Sequence, residues 1–160
     1  MKKIEVKTSA TVFNTLSELD QEDQLLMNKA IEARAKAYAP YSKFKVGAAF
    51  LLENGTIVLG NNQENAAYPS GMCAERVGVW KVGSEFPGIK IKKIAITAAS
   101  ENTIVNKPVG PCGACRQTLS EYEINQKESI EIIFMGEVGE IIKTTSLLSL
   151  LPFSFDSSYL

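Results

Sequence analysis

There is no histidine in the 160 residues of this chain. That absence excludes a Ser-His-Asp triad, a Cys-His dyad, a His-ligated metal and a histidine proton shuttle. Any metal must be held by Cys, Asp or Glu, and any general base must be a carboxylate, Lys, Tyr or Cys. Cysteine is scarce as well. Three thiols are an odd number, a poor basis for a disulfide framework. Long apolar runs are missing: stretches such as Val46 to Leu52 fall far short of the roughly 18 residues that a membrane-spanning segment needs. Met1-Lys2-Lys3 is followed by Glu5 and Lys7 and not by the apolar stretch of a signal peptide, so a soluble, cytoplasmic protein is expected. No charge of one sign dominates, with 17 basic against 18 acidic side chains and a formal net charge of −1. A duplex-binding surface needs clustered Lys and Arg, so neither nucleic acid nor membrane is an expected partner. Lys90, Lys92 and Lys93 read as the solvated start of a strand.

What is present is ordinary globular composition, 45% hydrophobic and 22% charged, in a length that suits one domain. No repeat or linker divides it. Residues 1–20 are weakly patterned and read as an N-terminal arm or a first short element; 21–160 reads as the functional domain. Leu25, Leu26, Ala30, Ile31 and Ala35 recur at near-helical spacing, predicting a helix over Glu22 to Tyr38 that Pro40 stops. Phe44 to Leu52 and Thr56 to Asn61 read as strands joined at Asn54-Gly55, a pair that tolerates positive φ. Further on come a helix over Cys73 to Val82 ending near Gly83, and a buried strand over Ile91 to Ala98. A helix over Cys112 to Tyr122 follows, then strands over Ile130 to Met135 and Glu140 to Thr144, and a short helical piece over Ser146 to Leu151. Alternation of this kind predicts an α/β domain with a mixed sheet of about five strands.

The cysteines carry the chemistry. Cys112 and Cys115 form a C-x-x-C at a predicted helix start, entered through Pro111. Spacing of i and i+3 puts both sulfurs on one helical face, and a helix N-terminus favours thiolates. Alone, the motif fits a redox dithiol, half a zinc site or coincidence. Cys73 also begins a predicted helix, in Cys73-Ala74-Glu75-Arg76. Three thiolates leave the fourth position of a zinc tetrahedron open, which is the arrangement of a catalytic zinc. Glu75 is a first-turn acid that complements the helix dipole, or a carboxylate that moves protons at the metal. It can address the same site as Cys73 only if Cys73 lies at the very start of the helix, because i,i+2 residues do not share a face.

These two blocks, Cys73-Ala74-Glu75-Arg76 and Pro111-Cys112-Gly113-Ala114-Cys115-Arg116-Gln117, resemble the zinc-dependent nucleoside deaminases. More narrowly, the chain resembles the small homotetrameric cytidine deaminases with three cysteine ligands. Tyr41 to Ala49, Asn62 to Tyr68 and Leu150 to Phe155 match that group too. The resemblance implies a three-layer α/β/α cytidine-deaminase-like fold. It implies one Zn²⁺ per subunit on Cys73, Cys112 and Cys115, and Glu75 as the proton shuttle. The reaction it implies is hydrolytic deamination of cytidine and 2'-deoxycytidine at C4 by a metal-activated water, giving uridine or 2'-deoxyuridine plus ammonia, in pyrimidine salvage. Phe44 would pack on the pyrimidine, Ala74 contact the base, and Asn62 and Glu64 bind ribose hydroxyls. Phe155 would stack on the base from a neighbouring subunit, so a homotetramer with shared sites is expected. Arg76 would hydrogen-bond ligand sulfurs, offsetting the net charge of −1 that three thiolates leave on zinc. Arg116 reads either as a second such arginine or as plain helix surface.

After Arg76 the chain departs from the family pattern with Val77-Gly78-Val79-Trp80, where Trp80 is expected to fill the space left by Gly78. The rival readings are a deaminase of a modified aminopyrimidine nucleoside of the blasticidin S kind and a structural zinc or redox module. Action on polynucleotide is disfavoured by the weak basicity.

Overall fold

Both sets of alternate side chains along Phe44 to Leu52 are largely apolar, so both faces of this strand must be covered. In the computed structural model, which describes all 160 residues, the strands are β1 (Thr11–Phe13), β2 (Phe44–Leu52), β3 (Ile57–Asn61), β4 (Ile91–Ser100), β5 (Glu131–Met135) and β6 (Ile141–Thr144). The α-helices are α1 (Gln21–Ala35), α2 (Ala74–Glu85) and α3 (Gly113–Gln126). One sheet runs in the order β1-β6-β5-β4-β2-β3. Only β4 and β5 pair in parallel, and α3 lies in the crossover that such a pair requires.

Ala48, Phe50 and Leu52 pack with Ala74, Val79 and Val82 of α2 and Leu119 of α3. Ala49 and Leu51 point the other way, onto Leu26, Met27 and Ala30 of α1. The result is three layers, α/β/α, with one helix on one face and two on the other. No helix is long and apolar enough to cross a membrane.

Three expectations are corrected here. The sheet has six strands, because Thr11–Phe13 pairs antiparallel with β6, Thr11 opposite Lys143 and Phe13 opposite Ile141. Lys93 is no solvated strand residue. It is buried, and its Nζ lies 2.7 Å from Asp23 Oδ1 and 2.8 Å from Glu22 Oε2, both on α1. The same Asp23 takes Lys143 of β6 at 2.6 Å, so a buried carboxylate joins α1 to two strands. Third, the space over Gly78 is filled by Phe50: a Cβ at Gly78 would lie 2.1 Å from Phe50 Cε2. Positions 78 and 80 are about 200° apart around a helix, so Trp80 faces away from the sheet and is 47% exposed.

A second close approach seats the start of α2. A Cβ at Gly60 of β3 would lie 2.3 Å from the carbonyl oxygen of Ala74, so only glycine lets the first turn of this helix rest on the sheet. The helix then runs past Gly83 to Glu85, and the N–H of Phe86 closes it on Val82 O.

Candidate active site

Two helices begin on a cysteine. Cys73 is the N-cap of α2 and Cys112 the N-cap of α3, both in extended conformation, and neither spends its side chain capping its own helix. Their sulfurs therefore remain available, beside helix N-termini whose free N–H groups favour negative charge. Cys115 lies three residues into α3 and is fully buried. The Sγ atoms of Cys73, Cys112 and Cys115 all lie within 4.8 Å of one another, as three free thiols. Zinc–sulfur bonds of 2.3 Å at tetrahedral angles need sulfurs about 3.8 Å apart, so the donor set fits zinc after a small contraction.

With Cys73 at the N-cap, Glu75 falls in the first turn and the condition for a shared site is met. Glu75 as a residue is 5% exposed. Burial pushes its pKa up, against opposing hydrogen bonding from its own backbone, and the neighbouring Cys73 sulfur pushes it further the same way. Such a carboxyl is suited to taking up a proton and giving it back. Cys73 is drawn down to about 5, first by the hydrogen bond from the Cys115 thiol and then, against desolvation, by Arg76. Cys115 is pushed up by that same hydrogen bond and by burial. Arg76 Nη2 donates to Cys73 Sγ at 3.4 Å. Its Nε is buried with no hydrogen-bond partner, a cationic donor held against the sulfur cluster.

Cys73, Cys112, Glu75 and Arg76 line a cavity of about 750 Å³, large enough for a nucleoside. Phe44, Asn62 and Glu64 line it too. Gln63 and Met72 exchange backbone hydrogen bonds at 2.9 and 2.8 Å, which draws the Asn62–Glu64 stretch alongside Cys73. Asn62 Oδ1 accepts from Val46 N at 2.7 Å and its Nδ2 donates to Phe44 O at 2.9 Å, leaving one amide proton free. Glu64 Oε2 accepts from Tyr41 N at 3.0 Å and Ser42 N at 3.2 Å, leaving Oε1 free. Hydrogen bonding to the Ser42 side chain, followed by these backbone donors, holds its pKa below the usual carboxylate range.

Residues 20–128 match the family model described as the cytidine and deoxycytidylate deaminase zinc-binding region. The chain belongs to the cytidine and deoxycytidylate deaminase family. A cytidine deaminase of Sporosarcina psychrophila is 42% identical over 138 residues, which is 84% of this chain and 93% of that one. One from Halalkalibacterium halodurans is 38% identical over 133 residues, 82% of this chain and 92% of the relative. Among solved structures, the cytidine deaminase from Burkholderia pseudomallei superposes with a TM-score of 0.72 at 36% identity, covering 86% of this chain and all of that one. This family is one of zinc-dependent hydrolases, and the three cysteines are positioned to bind its metal ion.

In this deaminase-family chain the remaining candidates are dispersed. Ala74 is fully buried on the first turn of α2. Phe155 does not line the cavity of its own chain; it is 58% exposed and stacks on Tyr159 with ring centroids 5.4 Å apart. The Arg116 guanidinium turns from the sulfurs to two backbone carbonyls, Pro111 O at 2.7 Å and Leu150 O at 2.8 Å. It is neither a second sulfur-facing arginine nor plain helix surface. Val46, Ile96 and Tyr68 also line the cavity and were not among the candidate residues, although Val46 and Tyr68 fall in stretches that match the family. Val46 was within reach, since it is two residues past Phe44 on one strand and shares its face. Ile96 carries no local signal that separates it from the core.

Proposed function

We propose that this chain catalyses the hydrolytic deamination of cytidine and 2'-deoxycytidine to uridine and 2'-deoxyuridine plus ammonia. The observation that carries the reading is the buried Glu75 carboxyl beside three converging thiols on the wall of a nucleoside-sized cavity. Zinc on Cys73, Cys112 and Cys115 would supply Lewis-acid polarisation of water, bringing its pKa towards neutrality. Glu75 takes the proton of the attacking water and delivers it to N3 of the cytosine ring. It then moves the remaining hydroxyl proton to the C4 amine, which leaves as ammonia. Its burial keeps bulk water from exchanging those protons.

Arg76 holds the charge of Cys73 in place. Phe44 packs against the pyrimidine, and the backbone at Ala74 contacts its polar edge. The free Oε1 of Glu64 accepts from ribose hydroxyls, and the free amide proton of Asn62 donates to them, which selects a nucleoside over a free base. Phe155 stacks on the base bound by a neighbouring copy, within a homotetramer of shared sites. Residues 21–160 form the catalytic domain, residues 1–20 act as an arm that joins its sheet through Thr11–Phe13, and pyrimidine salvage in the cytoplasm is the setting that suits the reaction.

Metal-replete protein incubated with cytidine is expected to form uridine, and a chelator-treated sample is expected to lose that turnover. An assembled, zinc-loaded protein that leaves cytidine unchanged would overturn the substrate assignment and turn the search to modified aminopyrimidine nucleosides.

A further inference from the structure

We infer that Arg116 is a positioning residue that, with Gln117 and Glu123, fixes the C-terminal segment to the metal-site helix and so sets where Phe155 is presented. One guanidinium joins two distant places. Its Nε donates to Pro111 O, the residue before the Cys112 sulfur, and its Nη1 donates to Leu150 O, the last residue of the short 3-10 turn Leu147–Leu150. Two helical turns along the same face, Glu123 holds the other end of that turn. The residue is 4% exposed, and its carboxylate accepts from Leu147 N at 2.8 Å, Leu148 N at 3.3 Å and the Ser146 hydroxyl, as well as from Ile130 N at 2.8 Å. No lysine or arginine pairs with it. A buried carboxylate without a cation is costly unless its lone pairs are filled, and here they are filled largely by this one turn. The turn is thus held by an acid at its N–H end and by a cation at its C=O end, both from α3.

Gln117 extends the attachment. Its Nε2 donates to Phe155 O at 2.8 Å. Between the Leu150 and Phe155 anchors lies Phe153 at φ +58°, a left-handed conformation that an aromatic residue keeps only where its flanks are held. The Phe155 side chain is left 58% exposed, outside the cavity of its own chain. The segment is therefore oriented from the helix that carries two of the three thiols, and it displays an aromatic outward.

The inference rests on the reading that Phe155 meets the base in a neighbouring copy. The test is a double-mutant cycle on assembled, zinc-loaded enzyme with cytidine, reading KM and kcat separately. Base–aromatic stacking of ordinary strength makes KM rise about tenfold in F155A. R116Q is expected to raise KM similarly, with kcat and zinc content close to those of the parent. R116Q/F155A is expected to match F155A, since Arg116 acts through that ring. Multiplying effects in the double variant, or loss of zinc together with kcat in R116Q, would overturn the inference while F155A still upholds the stacking role. Parental KM in F155A would overturn both, and that single variant identifies the case. Q117L removes only the bond to Phe155 O, at a half-buried position. It keeps the cycle readable if R116Q does not fold, with a smaller KM rise that F155A again masks; an unmasked rise overturns the inference.

Discussion

Helices α2 and α3 start alike and then diverge by one residue. Each has a cysteine at its N-cap with an unused side chain, and each has an arginine near the end of its first turn. In α2 the third residue after the cap is Arg76, and its guanidinium reaches back to the Cys73 sulfur. In α3 that place is taken by the buried Cys115, and the arginine comes one residue later. One residue turns a helix by about 100°. Arg116 accordingly points away from the sulfurs, to the backbone at Pro111 and Leu150. Two arginines that look equivalent beside their cysteines make different contacts: one donates to a thiol sulfur, the other to backbone carbonyls of two separate chain segments.

The largest expected effect comes from the acid that α2 has and α3 lacks. E75Q removes the carboxylate while keeping shape and most hydrogen bonding, and kcat for cytidine is expected to fall about a thousandfold or more. Zinc content and the thermal transition should stay near those of the parent. Full activity in E75Q would rule out the proton-transfer role, whatever the metal does.

The arginines sharpen the comparison at a smaller scale. R76Q is expected to weaken zinc retention by about 10- to 100-fold, measured by competition with a chromogenic chelator, because the outer partner of a ligand sulfur is lost. R116Q should retain zinc like the parent. If both variants lose metal equally, the divergence drawn from their first-turn positions is wrong.

This pair also marks how far the sequence could be read. Cys73, Glu75, Cys112 and Cys115 were legible because first-turn spacing within each helix brings them to the helix starts, and the family resemblance joins the two blocks. Strand β2 was legible because its largely apolar run ends at an Asn-Gly turn. The partners of Arg116 were not, since Leu150 lies 34 positions away and a carbonyl has no signature. Strand β1 has three residues without a pattern of their own and exists by pairing with β6. Lys93 misled because a lysine between strand residues looks solvated until Asp23, 70 positions earlier, is folded over it.

The smallest effect concerns why α2 can lie so close to the sheet where α3 does not need to. Gly78 admits the Phe50 ring, and G78A alone drives a methyl into that ring, an overpacking expected to cost about 1–2 kcal/mol in a denaturant midpoint experiment. F50L alone removes ring atoms from a fully buried site and costs about as much through the cavity it leaves. Together the two changes exchange the ring for the methyl, and alanine is the better helix former by about 1 kcal/mol. The double variant should therefore be more stable than either single one and come within about 1 kcal/mol of the parent. Additive losses would mean that the ring and the glycine are not filling one space. Since α2 also carries Cys73 and Glu75, kcat should follow the same order if the helix shifts, and should stay flat if the packing defect is absorbed by Phe50 alone.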